Sequence, residues 1–218
     1  MRMPVKGKKG MPEPTLRRLT HYLHLLTHLR KKGITGISSP KIAKELNLDA
    51  TQVKKDIQYT EIVGRPKTGF DVDELIDSIK LCLDWNTHQD AFLIGVGNLG
   101  KAMLSYDFYY RYGLNIVSGF DIDEQLIGTY MHNIEILNVD TLVDLAGKLN
   151  VEIGVITCPA SSAQAAADLL VAGGIKGIWN FAPRNLKVPD DVIVENAQFS
   201  QSLALLTRRL SEKRGSSE

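Results

Sequence analysis

The stretch DAFLIGVGNLGKAML, residues 90–104, decides how this chain is read. AFLIGV is a short apolar run of strand length, and a glycine turn closes it. Gly95, Gly97 and Gly100 then fall in the spacing G-x-G-x-x-G, and KAML continues as a helix. In that spacing the first glycine permits a tight turn. The second lets backbone amides approach a pyrophosphate, and the third lets helix and strand pack closely. The phosphates then sit at the positive end of the helix. Val96, Asn98 and Leu99 lie within the same turn and join the glycines as cofactor-binding candidates.

The surroundings strengthen this reading. LNIVSGFDID, residues 114–123, predicts a second strand ending in Asp121, 21 residues after Gly100. An acid there accepts both adenine-ribose hydroxyls and repels a 2′-phosphate, so NAD(H) is favoured over NADP(H). Ile122 sits beside it. The strand–helix alternation continues through IEIL (134–137), the helix TLVDLAGKLN, the strand VEIGVITCPA, the helix SSAQAAADLLVAGG and the strand GIWNFAP (177–183). Such alternation predicts an α/β fold of Rossmann type with a doubly wound parallel sheet. Ligands bind beyond the carboxyl ends of its strands. That rule brings Thr157, Cys158 and Pro159, together with Asn180, Phe181, Ala182 and Pro183, to the expected cofactor. Cys158 is read either as a small packing residue or as a redox thiol.

About ninety residues precede the glycine turn, and they differ in character. The chain has 218 residues, 44% hydrophobic and 23% charged, which is enough apolar content for packed cores and too much for a disordered chain. Its net charge of +1 conceals a polarity. Residues 1–70 carry 15 Lys and Arg against 5 Asp and Glu, a net of +10; the remainder carries 11 against 20, a net of −9. A basic module of this kind suits phosphate backbones. No apolar run reaches the length of a membrane span. The opening MRMPVKGKKGMPEP lacks the apolar stretch of a secretory signal and reads as a flexible basic arm. Two cysteines, Cys82 and Cys158, make no disulfide framework, and the expected location is the cytoplasm. No metal site and no catalytic residue is expected.

Within the basic module, Leu16, Leu19, Leu23, Leu26 and Leu29 recur at helical spacing, and Arg30-Lys31-Lys32-Gly33 closes that helix. Ser38 or Ser39 caps a short second helix with Pro40 at its start. Asp49 or Ala50 opens a third, TQVKKDIQY, with Val53 and Ile57 inward. This is a helix-turn-helix arrangement whose third helix reads DNA. Its outer face offers Thr51, Gln52, Lys54, Lys55 and Tyr59, while Ser38, Ser39 and Lys41 suit phosphate contacts. EIVGRPKTGF, residues 61–70, reads as a basic hairpin wing carrying Arg65 and Lys67. DVDELIDSIKLCLDW (71–85) predicts a linking helix in which Asp71 and Glu74 have capping-box spacing. Phe199, Leu203, Leu206 and Leu210 mark one apolar face of a terminal helix, either packed on its own sheet or serving as a dimer arm.

Taken together, PEPTLRRL, ISSPKIAKEL, QVKKDIQY, LIGVGNLGKAM, FDID, TCPA and NFAP occur in the order and spacing of the Rex family of redox-sensing transcriptional repressors, which the chain resembles over residues 12–210. The resemblance implies a winged-helix DNA-binding domain, a Rossmann domain, and a C-terminal helix exchanged in a homodimer. It implies operator DNA as partner, with NADH and NAD+ as ligands and NADH as the releasing signal. It implies that Gly95–Gly100 and Asp121 hold the dinucleotide, that 157–159 and 180–183 lie near the nicotinamide, and that Arg17 or Arg18 belongs to the DNA-facing and domain-coupling surface. The chain departs from the family pattern at Thr60 (usually aromatic), Glu61 (usually glycine), Pro66-Lys67 (usually Arg-Gly) and Gln198 (usually acidic).

The expected organisation is a basic arm (1–14), a winged-helix domain with linking helix (15–85), a Rossmann domain (86–195) and a dimerisation helix and tail (196–218). Two rival readings fit the same motifs. One is a small NAD-dependent oxidoreductase, which needs an acid/base group beside the nicotinamide. The other is a DNA-binding regulator that senses another nucleotide, such as coenzyme A.

Overall fold

The computed structural model describes residues 10–66, 68–105, 110, 112–197 and 199–215. The expected arm up to residue 9, Lys67 and Gln198 lie outside them. The chain divides into two compact units, Met1–Thr87 and His88–Glu218.

In the first unit, α1 (Glu13–Lys31) runs from Pro12 to a basic last turn. Its inward stripe is Thr15, Leu19, Tyr22, Leu23, Leu26 and Leu29. Leu16, expected on that stripe, is exposed. Thr15 and Tyr22 face inward because they donate to a buried carboxylate described below. α2 (Ser39–Leu46) is capped by Ser38, whose side chain accepts from Lys41 N, so Pro40 is the second helical residue. Asp49 caps α3 (Ala50–Gln58) by accepting from Gln52 N. The strands β1 (Gly36–Ile37) and β2 (Phe70–Asp71) pair antiparallel. Above them Arg65 and Gly69 exchange both backbone hydrogen bonds, at 2.6 and 3.0 Å, which closes the hairpin wing. Gly69 is obligatory: its φ is +79°, and a Cβ there would collide with the Ile37 carbonyl. Glu61, at the family's glycine position, has φ +62°. Asp71 caps α4 (Val72–Cys82) through Asp73 N and Glu74 N. That helix ends at Cys82, short of the expected Trp85, because Asp84 turns left-handed and Trp85 N bonds back to the Lys80 carbonyl.

The second unit is one seven-stranded sheet in the order β5-β6-β4-β3-β7-β8-β9. These strands are β3 (Gln89–Ile94), β4 (Leu114–Asp121), β5 (Tyr130–Met131), β6 (Ile134–Asn138), β7 (Ile153–Ile156), β8 (Gly177–Asn180) and β9 (Ile193–Asn196). All neighbours are parallel except the β5–β6 hairpin. Without β5 the order is 3-2-1-4-5-6, the Rossmann arrangement, which reverses direction between β3 and β7. The sequence patterns had missed β5 and β9: the first has two residues, and both lie at sheet edges, where exposed side chains blur the apolar signature. The covering helices are α5 (Asn98–Leu104), α6 (Leu142–Leu149) and α7 (Ala163–Ala172). Most of the helix expected beyond Ser105 lies outside the described residues. One core joins Phe92, Phe120, Ile156 and Ile178 to α6 and α7; another joins Leu93, Val96, Ile136 and Val155 to Met103 and Leu104. The terminal helix α8 (Phe199–Gly215) has no buried residue.

Candidate functional site

At the reversal between β3 and β7 the chain opens a crevice at the carboxyl ends of the strands. A cavity of about 360 Å³ lies there, lined by Gly95, Gly97, Asp121, Ile122, Thr157, Cys158 and Pro159, with Ile94, Val139, Ser162, Ala165, Ala166 and Leu169 from outside the expected set; Val96, Asn98, Leu99 and Gly100 do not line it. The glycines divide their work. Gly95 has φ +94°, and a Cβ on it would sit 2.6 Å from Cys158 N. A Cβ on Gly100 would strike the Gly95 carbonyl. A Cβ on Gly97 would meet nothing, so this position faces open room. Thr157 locks the turn by donating to the Gly95 carbonyl at 2.7 Å.

Asp121 serves the turn as well. One carboxylate oxygen accepts from Val96 N at 2.6 Å, and the other accepts from Ile122 N and Asp123 N at 2.8 and 3.0 Å. The carboxylate therefore fixes the loop while it lines the cavity. Burial pushes the Cys158 thiol up, and the Asp121 charge adds to the shift. A half-buried thiol so held is a wall residue rather than a thiolate.

The expected nicotinamide-side residues do not share this cavity. Phe181, Ala182 and Pro183 line a second space of about 450 Å³ with Arg184, Asn185, Ala197, Phe199 and Ser200. Asn180 lines neither. It is 1% exposed; its Nδ2 donates toward the Ala182 and Arg184 carbonyls and Asn196 Oδ1, and its Oδ1 accepts from Ala182 N. As a cofactor contact it is corrected to a residue that shapes the loop, because its amide is already occupied.

In the first unit the DNA-binding candidates separate in the same way. Arg17, Lys41, Thr51, Lys54 and Lys55 are exposed, while Ser38, Ser39 and Tyr59 are partly covered. Arg65 reaches Glu74 at 2.9 Å. Arg18 and Gln52 turn inward instead. Asp56, 0% exposed, receives Arg18 Nε at 2.6 Å and Nη2 at 2.9 Å, Tyr22 Oη at 2.7 Å, Gln52 Nε2 at 2.9 Å and Thr15 Oγ1 at 3.1 Å. Burial alone would raise the Asp56 carboxyl; the bonds from Arg18, Tyr22 and Gln52 outweigh it and hold the group below the ordinary carboxylate range. Burial, with the Asp56 bond, raises Tyr22 well above the usual phenol range and keeps it a donor. The expectation that Gln52 and Arg18 face DNA is corrected on this ground: their polar atoms neutralise a buried charge. The sequence carried one signal of Asp56, an acid in register with Val53 and Ile57 on an otherwise apolar helix face.

The whole chain has close counterparts. It is 41% identical over 201 residues to the redox-sensing transcriptional repressor Rex of Bacteroides thetaiotaomicron, covering 92% of this chain and 91% of that one. The chain belongs to the Rex family. The Rex of Treponema denticola is 39% identical over 209 residues, 95% of this chain and all of that one. Among solved structures, the Rex-family repressor RSP bound to β-NAD+ and operator DNA matches with a TM-score of 0.86 at 35% identity, over 95% of each chain. RSP with β-NADH matches at 0.85, also 35% identical, over 95% of this chain and 97% of that one. A family model described as "CoA binding domain" matches residues 86–184, and one described as "Putative DNA-binding protein N-terminus" matches residues 10–57.

Proposed function

We propose that this chain is a DNA-binding transcriptional repressor that senses the NADH/NAD+ balance, with NADH releasing it from its operator. The observation that carries the reading is the glycine turn at the sheet's switch point, in a chain whose other unit is strongly basic. The turn leaves backbone room at Gly97 and holds Asp121 on the cavity wall, which fits a dinucleotide. Gly95–Gly100 would receive the pyrophosphate and Asp121 the adenine ribose. The ligand supplies a nicotinamide that is uncharged when reduced and cationic when oxidised. Differential affinity of two conformations for these forms is the only means by which it can shift DNA binding.

In this reading Lys41, Lys54, Lys55, Arg17 and Arg65 meet phosphates and Thr51 reaches bases, while Arg18, Gln52 and Asp56 hold α1 to α3. Phe199, Leu203, Leu206 and Leu210 are 46–68% exposed, which supports α8 as a homodimer arm. The winged-helix domain ends near residue 85 and the dinucleotide-binding domain runs to about 195. No described helix is long and apolar enough to cross a membrane; a partner of DNA and of the nicotinamide pool belongs in the cytoplasm. The chain acts without catalysis. His88 and His132, the histidines of the second unit, lie toward the amino ends of β3 and β6, away from the crevice. The "CoA binding domain" match gives coenzyme A a specific claim as an alternative ligand.

The test is fluorescence anisotropy on a palindromic operator at fixed salt, titrated with NADH, NAD+ and coenzyme A. Release by NADH alone is expected. Release by coenzyme A alone would transfer the sensing role to that ligand, and indifference to all three would refute it.

A further inference from the structure

The loop after β8 and the root of α8 form two walls of the 450 Å³ cavity. They are tied together beneath it by one side-chain bond, from Asn180 Nδ2 to Asn196 Oδ1 at 2.8 Å. Asn180 also fixes the loop, by accepting from Ala182 N and donating to the Arg184 carbonyl. Arg184 in turn reaches the Ala160 carbonyl at 3.1 Å, next to the 157–159 wall of the dinucleotide cavity. A continuous line of polar contacts therefore runs from the glycine-turn cavity through Arg184 and Asn180 to Asn196, three residues before Phe199, where α8 begins. The Asn180 carbonyl adds a bond from Ala197 N at 2.9 Å.

The line is unequal along its length. Asn180 is buried and satisfied at every polar atom, so nothing there moves cheaply. Asn196 is exposed, and its side chain makes a single bond to the hub. The Asn180–Asn196 bond is thus an exposed side-chain tie that reinforces the backbone pairing of β8 with β9 and can be removed without exposing core.

We propose that Asn196, held by Asn180, is the positioning residue that couples occupancy of the dinucleotide cavity to the placement of α8. This rests on the reading of the chain as an NADH-responsive repressor. With the bond in place, a shift of the 181–184 loop on ligand binding carries the helix root with it; without it, ligand and DNA each bind, but each reports more weakly to the other. The residue touches neither ligand nor DNA in this account.

The experiment measures a coupling factor, the ratio of operator dissociation constants with saturating NADH and without, in the full-length chain. Asn196→Ala removes the acceptor, and Asn196→Asp keeps an oxygen where Asn180 Nδ2 donates. For Asn196→Ala the coupling factor is expected to fall about 2- to 10-fold, the worth of one net hydrogen bond. NADH affinity of the free protein and operator affinity without NADH should each stay within about 2-fold. By reciprocity the affinity of the DNA-bound protein for NADH must change by the same factor. Asn196→Asp is expected to restore most of the coupling. An unchanged factor in Asn196→Ala, or a loss of NADH binding itself, overturns the proposal, as does equal damage by Asn196→Asp. A wild-type factor of one refutes the NADH-sensing reading beneath it and is recognised before any variant is made.

Discussion

Removing the Arg18 side chain should loosen the first unit far more than removing that of its neighbour Arg17. Asp56 is a fully buried carboxylate, and Arg18 is the cation that pairs with it, through two bonds at 2.6 and 2.9 Å. In Arg18→Ala the carboxylate keeps Tyr22, Gln52 and Thr15 but loses its counter-charge. Breaking a buried pair in this way costs about 3–5 kcal/mol, because one charge is left uncompensated. Arg17 pairs with Glu13 on the open surface, where both side chains are about 70% exposed; such a pair is worth about 0–1 kcal/mol. Hydrogen exchange read by mass spectrometry on the intact chain separates the cases. Peptides from α1 and α3 should lose roughly 100- to 1,000-fold or more of their protection in Arg18→Ala and less than about 5-fold in Arg17→Ala, at about 1.4 kcal/mol per factor of ten. Peptides from β3 and β4 serve as the internal control. The pH dependence gives a second reading. The folded carboxyl of Asp56 is depressed, so its contribution is complete above its unfolded value of about 3.9 and is lost as pH falls through the lower folded value. The gap between wild type and Asp56→Asn should be constant from pH 7 to pH 5 and narrow only below about pH 4. Protection in Arg18→Ala within 5-fold of wild type, or a gap that closes already near neutrality, would refute the account of the network.

Other substitutions test the remaining parts. Gly95→Val forces a branched residue to φ +94° and against Cys158, and isothermal titration should find NADH binding reduced at least 10-fold while the operator is still bound. Asp121→Ala should weaken NADH by about 10-fold or more and reduce the preference over NADPH; an unchanged NADPH ratio would remove the ribose role. Lys54→Ala and Lys55→Ala should each lower the slope of log affinity against log salt by about 0.9 without changing operator preference, as phosphate contacts do. Leu203→Glu with Leu206→Glu places charges on the uncovered face of α8, and sedimentation should then report monomer in place of dimer.

Much of the dinucleotide unit was legible in the chain. A buried parallel strand writes itself as an apolar run, and the glycine spacing reports backbone conformations that other residues cannot adopt. Gly95 and Gly100 are required by steric limits that depend only on neighbours in sequence and on the adjacent loop. The edge strands β5 and β9 were not legible, since their side chains answer to solvent.

Residue roles divided along the same line. The sequence by itself determined the fold class, the position of the glycine turn, the cap at Asp71, and the contrast of charge between the two units, because these follow from local spacing and composition. Only the tertiary structure decided that Arg18 and Gln52 serve Asp56, that Asp121 fixes its own loop, and that Asn180 ties a loop to the root of α8. Each of those roles depends on a partner between 4 and 38 residues away, and a polar side chain goes wherever a buried group would otherwise be unsatisfied. That demand is set by the packing of whole helices and strands, which residue type and spacing do not record.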